Sequence, residues 1–277
     1  MAPAAPPYGA GMRNSRMNIA RRALARAALA AALLALAGLS ACGGDDQPAD
    51  TGGVGVTRLV TVTTTGALAL PGQKLAASTD TVTLWLGPGV ARRDVGGGSL
   101  LLHAGVDRLT WLDHRARTWT SQTADEVREQ VAALAADSST VGLAGDRVDR
   151  LKSLLRVAVS AKDTGEDAEI AGYRCRRWVV EQRLGDQATT SEIWLTRDVD
   201  VDFALLNRLA RPTLAALPGG EDALVELSRL DGVPVLSTAI MTVMNRQGRT
   251  ETRLVSVDKL VVDPGLFMPP AEYRQSR

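Results

Sequence analysis

The chain has 277 residues, 45% of them hydrophobic and 23% charged, with 32 basic side chains against 31 acidic ones. A balance this even leaves no electrostatic footprint for nucleic acid. Two histidines and two cysteines offer little metal-ligand chemistry, and no phosphate-cradling glycine loop, Gly-x-Ser-x-Gly or His-Glu-x-x-His motif is present.

Residues 17–42, MNIARRALARAALAAALLALAGLSAC, read as an export signal, with Met17 a plausible true start. Arg21, Arg22 and Arg26 make a positive leader, and residues 27–39 carry no charge. That run is shorter than the ~20 residues needed to span a bilayer. Leu39-Ser40-Ala41-Cys42 resembles the bacterial lipobox, in which a diacylglycerol is attached to the cysteine and the leader is cut before it. The expected partner is therefore the membrane itself, reached through an N-terminal lipid on Cys42. Acyl chains contribute roughly 0.8 kcal/mol per buried methylene, so several chains anchor firmly. Gly43, where an aspartate tends to retain lipoproteins at the inner membrane, points to the outer membrane facing the periplasm. The five arginines before Cys42 leave 27 basic and 31 acidic residues, a mature net charge of about −4. With Cys42 taken by lipid, Cys175 has no disulfide partner and reads as a small buried hydrophobe.

Residues 43–54 are polar and rich in Gly, Asp and Pro, the composition of a flexible tether. Residues 57–65, TRLVTVTTT, are β-branched and form the first expected strand. Strands follow at 80–86, 90–95, 99–103, 108–112 and 118–120, parted by Gly-Pro-Gly, Gly-Gly-Gly and short polar turns, the pattern of an antiparallel meander. The period then becomes helical: Thr123 caps residues 124–138, and residues 146–156 carry a second apolar stripe. Strands return at 157–161, 173–182 and 189–195, with an acidic loop at 163–169. Two amphipathic helices, 203–217 and 221–230, precede a final hairpin of 235–245 and 250–260. Prolines 264, 269 and 270 mark the end of the ordered part.

Several strands carry bulky apolar groups on both faces: Tyr173, Cys175 and Val179 on one, Trp178 and Val180 on the other. A sheet wetted on one side does not need this. Helices must cover both faces, or one face lines a cavity, for which Trp85, Trp111, Trp178 and Trp194 are the candidate lining. His103 and His114 lie at strand ends without ligand neighbours. Asp113-His114 reads as turn chemistry rather than an acid–base pair. Neither a catalytic residue, nor a metal, nor a cofactor is expected. Arg92-Arg93-Asp94 and the Arg174, Arg176, Arg177 cluster read as solvated faces with cross-strand partners such as Glu181 and Glu192.

Residues 83–94 (TLWLGPGVARRD), Leu112-Asp113-His114 leading to Thr118-Trp119, 170–175 (IAGYRC), 192–198 (EIWLTRD), 232–235 (GVPV) and 266–273 (LFMPPAEY) resemble a bacterial envelope family catalogued as a domain of unknown function. That family is similar to the LolA/LolB and LppX lipoprotein carriers. The resemblance implies an α+β fold, a strongly curved antiparallel half-barrel at 57–277 with several helices over its open face. It also implies a lipid or other apolar ligand in the concave face, and it brings no catalytic residue. The alternative is an envelope assembly lipoprotein with a packed core, an envelope protein as partner and no small ligand.

Overall fold

The computed structural model describes residues 52–70, 73–106, 108–123, 125–127, 129, 156–185, 187–215, 217–243 and 246–276. Short β-branched runs broken by tight turns give strands β1 (Val54–Thr65), β2 (Leu68–Leu70), β3 (Gln73–Leu75), β4 (Ser78–Gly87), β5 (Val90–Val95), β6 (Gly98–His103), β7 (Arg108–Asp113) and β8 (Thr118–Thr123). Then come β9 (Val157–Ile170), β10 (Tyr173–Leu184), β11 (Gln187–Thr196), helices α1 (Phe203–Ala215) and α2 (Gly220–Leu227), β12 (Val233–Val243) and β13 (Arg246–Val262). A 3-10 turn (Pro264–Phe267) and β14 (Arg274–Gln275) end the chain.

Apart from the small β2–β3 pair, the strands form one 12-stranded sheet in the order β14-β8-β7-β6-β5-β4-β1-β13-β12-β11-β10-β9. The first strand is thus central. The N-terminal meander extends from one side of it and the C-terminal strands from the other. All pairings are antiparallel except β14 on β8, so the sheet is mixed.

This overturns the α+β expectation. The protein is mostly β, and its described helices are α1, α2, the 3-10 turn and the opening turn of a helix at 125–127. A half-barrel roofed by several helices is not what is observed. The reason lies in strand length. Residues 163–169, expected as an acidic loop, continue β9, and β12 and β13 run to 11 and 17 residues. The acids of β9 tolerate the strand because three arginines of β10 lie across from them. Ala171 (φ 51°) and Gly172 (φ 83°) make the two-residue turn with both φ positive that such a tight hairpin requires.

The C-terminal prolines do not end the order either: the 3-10 turn and β14 follow. Thr123 does cap a helix. Its hydroxyl accepts from the Glu126 amide (3.2 Å) while the Glu126 carboxylate accepts from the Thr123 amide (2.8 Å). The rest of that expected helix and the one expected at 146–156 lie outside the described residues, except Arg156.

Register fixes the two faces of the N-terminal meander. Leu59, Leu84, Ala91, Leu100, Leu102 and Leu109 share one face and join a core cluster with Leu205, Leu206 and Leu209 of α1. Leu101 points the other way, and all three leucines of β6 are buried. The chain covers the second face with its own end. The 3-10 turn packs on β5, and the tail then crosses to β8, where Arg274 and Gln275 pair with Thr118 and Trp119. A two-faced apolar strand is explained here without a cavity. At the opposite end of the sheet, α2 packs along β9, and its Glu226 carboxylate accepts the Ala161 amide that no strand pairs. An edge covered in this way is blunted against further strand addition.

Candidate functional site

Beneath the tail, the outward face of β4–β7 carries a continuous chain of polar groups. Asp94 accepts from Trp85 Nε1 (3.0 Å), from Arg92 Nε (2.7 Å) and, in a short contact, from the Ser99 hydroxyl. Having spent its proton on Asp94, Ser99 accepts from Arg92 (3.1 Å) and from His114 Nε2 (2.6 Å). That assigns the proton to Nε2 and leaves His114 Nδ1 to accept from the Tyr273 hydroxyl at 2.8 Å. Arg92 also donates to the Leu266 carbonyl at 2.8 Å.

Serine, histidine and aspartate are all present here, but the order of contacts is wrong for an acyl-transfer triad. The serine gives its proton to the carboxylate and receives one from the imidazole, so no base stands ready to activate it. Ser99 is also 1% exposed. The arrangement fastens the tail through Leu266 and Tyr273. Asp113 and His114 do not act together, since Asp113 accepts from the Ala116 amide in its own turn (2.8 Å).

A second polar concentration surrounds an open cleft of about 720 Å³, lined by Asp163, Asp167, Arg174, Arg176, Trp178 and Asp198 among others. A bulge at residues 164–166 of β9 swings two aspartates around one arginine: Arg176 meets Asp163 at 3.0 Å and Asp167 at 3.3 Å. Arg174 pairs with Asp198 (3.0 Å), Arg177 with Glu166 (2.6 Å) and Glu192 (2.9 Å), and Arg197 with Asp231. The expected cross-strand partner Glu192 is therefore found on Arg177. Charges this well matched leave the cleft with little net field.

Arg176's hydrogen bond holds the Asp163 carboxyl below its ordinary value, and Arg174's does the same for Asp198. A carboxylate with a depressed folded pKa stabilises above its unfolded value, and that contribution is lost as pH falls through the folded pKa. The acidic half of β9 therefore loosens in acid, below about pH 4. Amides 163–170 should exchange faster at about pH 3 than at about pH 6, after correction for intrinsic rates. Unchanged protection would show that the ladder of ion pairs does not hold this strand.

The four candidate indoles are not brought together. Trp85 and Trp111 lie on opposite faces of the meander, and Trp178 and Trp194 on opposite faces of the β10–β11 pair. Trp85 is held by Asp94, with the Arg58 guanidinium 5.6 Å above its ring. Trp194 packs against the core cluster, and Trp178 lines the charged cleft. Trp111 is 42% exposed, at the end of a row that runs Leu84–Arg93–Leu100–Trp111 across β4 to β7. Cys42 lies outside the described residues. Cys175 is a free thiol in the core cluster, and burial pushes its pKa up. Among the described residues, no three His, Cys, Asp or Glu side chains are grouped as a metal site would need.

The Asp94–Ser99–His114–Tyr273 chain escaped the sequence reading because its members come from two strands, the turn between β7 and β8, and the tail. The only signal was that Trp85, Asp94, His114 and Tyr273 all fall within the short motifs singled out above.

Compared with known families, residues 146–273 match a model described as a domain of unknown function (DUF4412). The match begins before β9 and ends at Tyr273. It therefore includes the charged cleft and most of the tail, and leaves out Asp94, Ser99 and Trp111. No curated protein matches the chain.

Proposed function

We propose that this protein is a membrane-held lipoprotein of the bacterial envelope, acylated on Cys42, whose sheet binds a ligand with an apolar body. Anchorage is supported by the leader, the Leu-Ser-Ala-Cys end and the polar Gly-, Asp- and Pro-rich composition of residues 43–54. The observation that carries the ligand reading is Trp111, a large indole 42% exposed on the face that elsewhere forms the core. A large exposed aromatic at the margin of the core face is a ready contact for a hydrophobic chain. The row lies on the periplasmic domain, within reach of the outer membrane that holds it.

Two measurements test this. Cys42→Ser should move the protein from the membrane fraction to the soluble fraction, since roughly 0.8 kcal/mol is lost with each acyl methylene no longer buried. A variant that stays with the membrane would refute the anchor. Native mass spectrometry of the soluble Cys42→Ser form, after incubation with total envelope lipid, should show adducts of lipid mass that Trp111→Ala diminishes. A bare apo mass at every lipid concentration would remove the ligand reading.

A second reading rests on the charged cleft. Trp178 beside paired arginines and aspartates suits a protein partner better than a hydrocarbon chain. It would make the domain an assembly module, recognised by a crosslinked envelope partner that Arg176→Ala abolishes.

A further inference from the structure

Arg93 sits in the middle of the Trp111 row, between Leu84 on one neighbouring strand and Leu100 on the other. Leu100 belongs to the core cluster and Leu84 packs against it. The side chain of Arg93 is half-buried, yet its surroundings strip enough water from the guanidinium to lower its pKa. Its neighbour Arg92, on the opposite face, is fully engaged with Asp94, Ser99 and the Leu266 carbonyl. Arg93 makes no ion pair or hydrogen bond with any described residue.

Among the described residues, no carboxylate on its own face reaches it. Along β5 that face carries Ala91 and Val95, and Asp94 is committed on the other side. Asp113, two strands away, is turned to its own loop. A guanidinium carries five donors and cannot shed its proton. Held partly out of water with none of them used, it is costly unless an anion completes it. The unpaired cation and the exposed indole also have a fixed separation. They lie two strands apart with Leu100 between them, about 10 Å at the usual strand spacing.

We propose that Arg93 and Trp111 form one binding site for an amphipathic anion. A carboxylate or phosphate head pairs with the Arg93 guanidinium, and the hydrocarbon lies against the exposed Trp111 ring. The inference rests on the ligand-binding reading and adds to it a requirement for charge, which a purely apolar site would not have.

The test uses three single-chain lipids on the soluble Cys42→Ser protein: oleate with a carboxylate head, lysophosphatidate with a phosphate head, and uncharged monoolein. Affinities come from displacement of a fluorescent neutral probe below micelle-forming concentrations. At least one anionic lipid should bind about tenfold or more tighter than monoolein, the effect of a charge-assisted pair in a partly desolvated site. Which of the two leads identifies the head group. Arg93→Gln should remove that preference while leaving monoolein binding intact, and Arg93→Lys should retain part of it. Trp111→Ala should weaken all three alike.

Equal affinity for oleate, lysophosphatidate and monoolein in the parent protein would overturn the Arg93 assignment and leave the apolar-ligand reading standing. Failure of all three to bind would overturn both. The comparison within the parent protein decides the matter even where Arg93→Gln does not fold.

Discussion

Replacing Asp94 with alanine should lower the unfolding free energy by about 3 kcal/mol and free the C-terminal segment. The carboxylate is the sink of the whole polar chain under the tail, taking hydrogen bonds from Trp85, Arg92 and Ser99. Removing it strands Arg92, whose side chain is only 15% exposed, as an unpaired charge. Asp94 itself is 32% exposed, so the cost belongs at the low end of the range for breaking a buried pair. Substitutions further along the chain should cost less, about 2 kcal/mol for Ser99→Ala, whose hydroxyl bonds the charged Asp94 and Arg92, and about 1 kcal/mol for Tyr273→Phe, which removes one hydrogen bond between neutral groups. Urea unfolding gives the free energies, and trypsin cutting at Arg274 in native conditions reports release of the tail. Should Asp94→Ala match the parent in both, the network would not be what fastens the tail.

The second large effect is at Leu101. In a sheet with one wet face, alternate residues of a strand are silent to truncation. Here Leu100, Leu101 and Leu102 are 4%, 0% and 0% exposed, with Leu101 facing away from the other two. Leu101→Ala should therefore cost about 3 kcal/mol, as much as Leu102→Ala, in the range for a leucine lost from a packed interior. The pair of variants separates two architectures. A loss confined to Leu102 would mean that the tail does not seal the second face.

How much of this was legible beforehand follows from how local each signal is. The meander of β4 to β8 was readable because Gly-Pro-Gly, Gly-Gly-Gly and the Asp113 turn punctuate β-branched runs, and a two-residue period needs only neighbours to declare itself. The Thr123 cap was readable for the same reason. The acidic stretch 163–169 was misread because charge alone suggests a solvated loop. What makes it a strand is Arg174, Arg176 and Arg177 on the next strand, a tertiary fact. What covers the meander's second face was not legible, because apolar patterning reveals that a face is buried, not what buries it. Residues 264–276, rich in proline, look like a fraying end until Leu266 and Tyr273 find Arg92 and His114. The four tryptophans shared a composition argument but not a location, since side-chain direction depends on register.

The placing of β1 has a consequence for how the chain comes together. Its N-terminal neighbour β4 is close in sequence, but its other neighbour is β13, and Arg58 meets Asp258 across 200 residues. Strand closure over such a distance is slow. The N-terminal meander can assemble first, with Leu101 and its neighbours uncovered until residues 264–276 dock on β5 and β8. For that interval the chain is a half-roofed sheet, the state in which β proteins aggregate. Its final residues therefore act late, as the closing step of folding, and a chain shortened there would be open to proteolysis before its stability came into play.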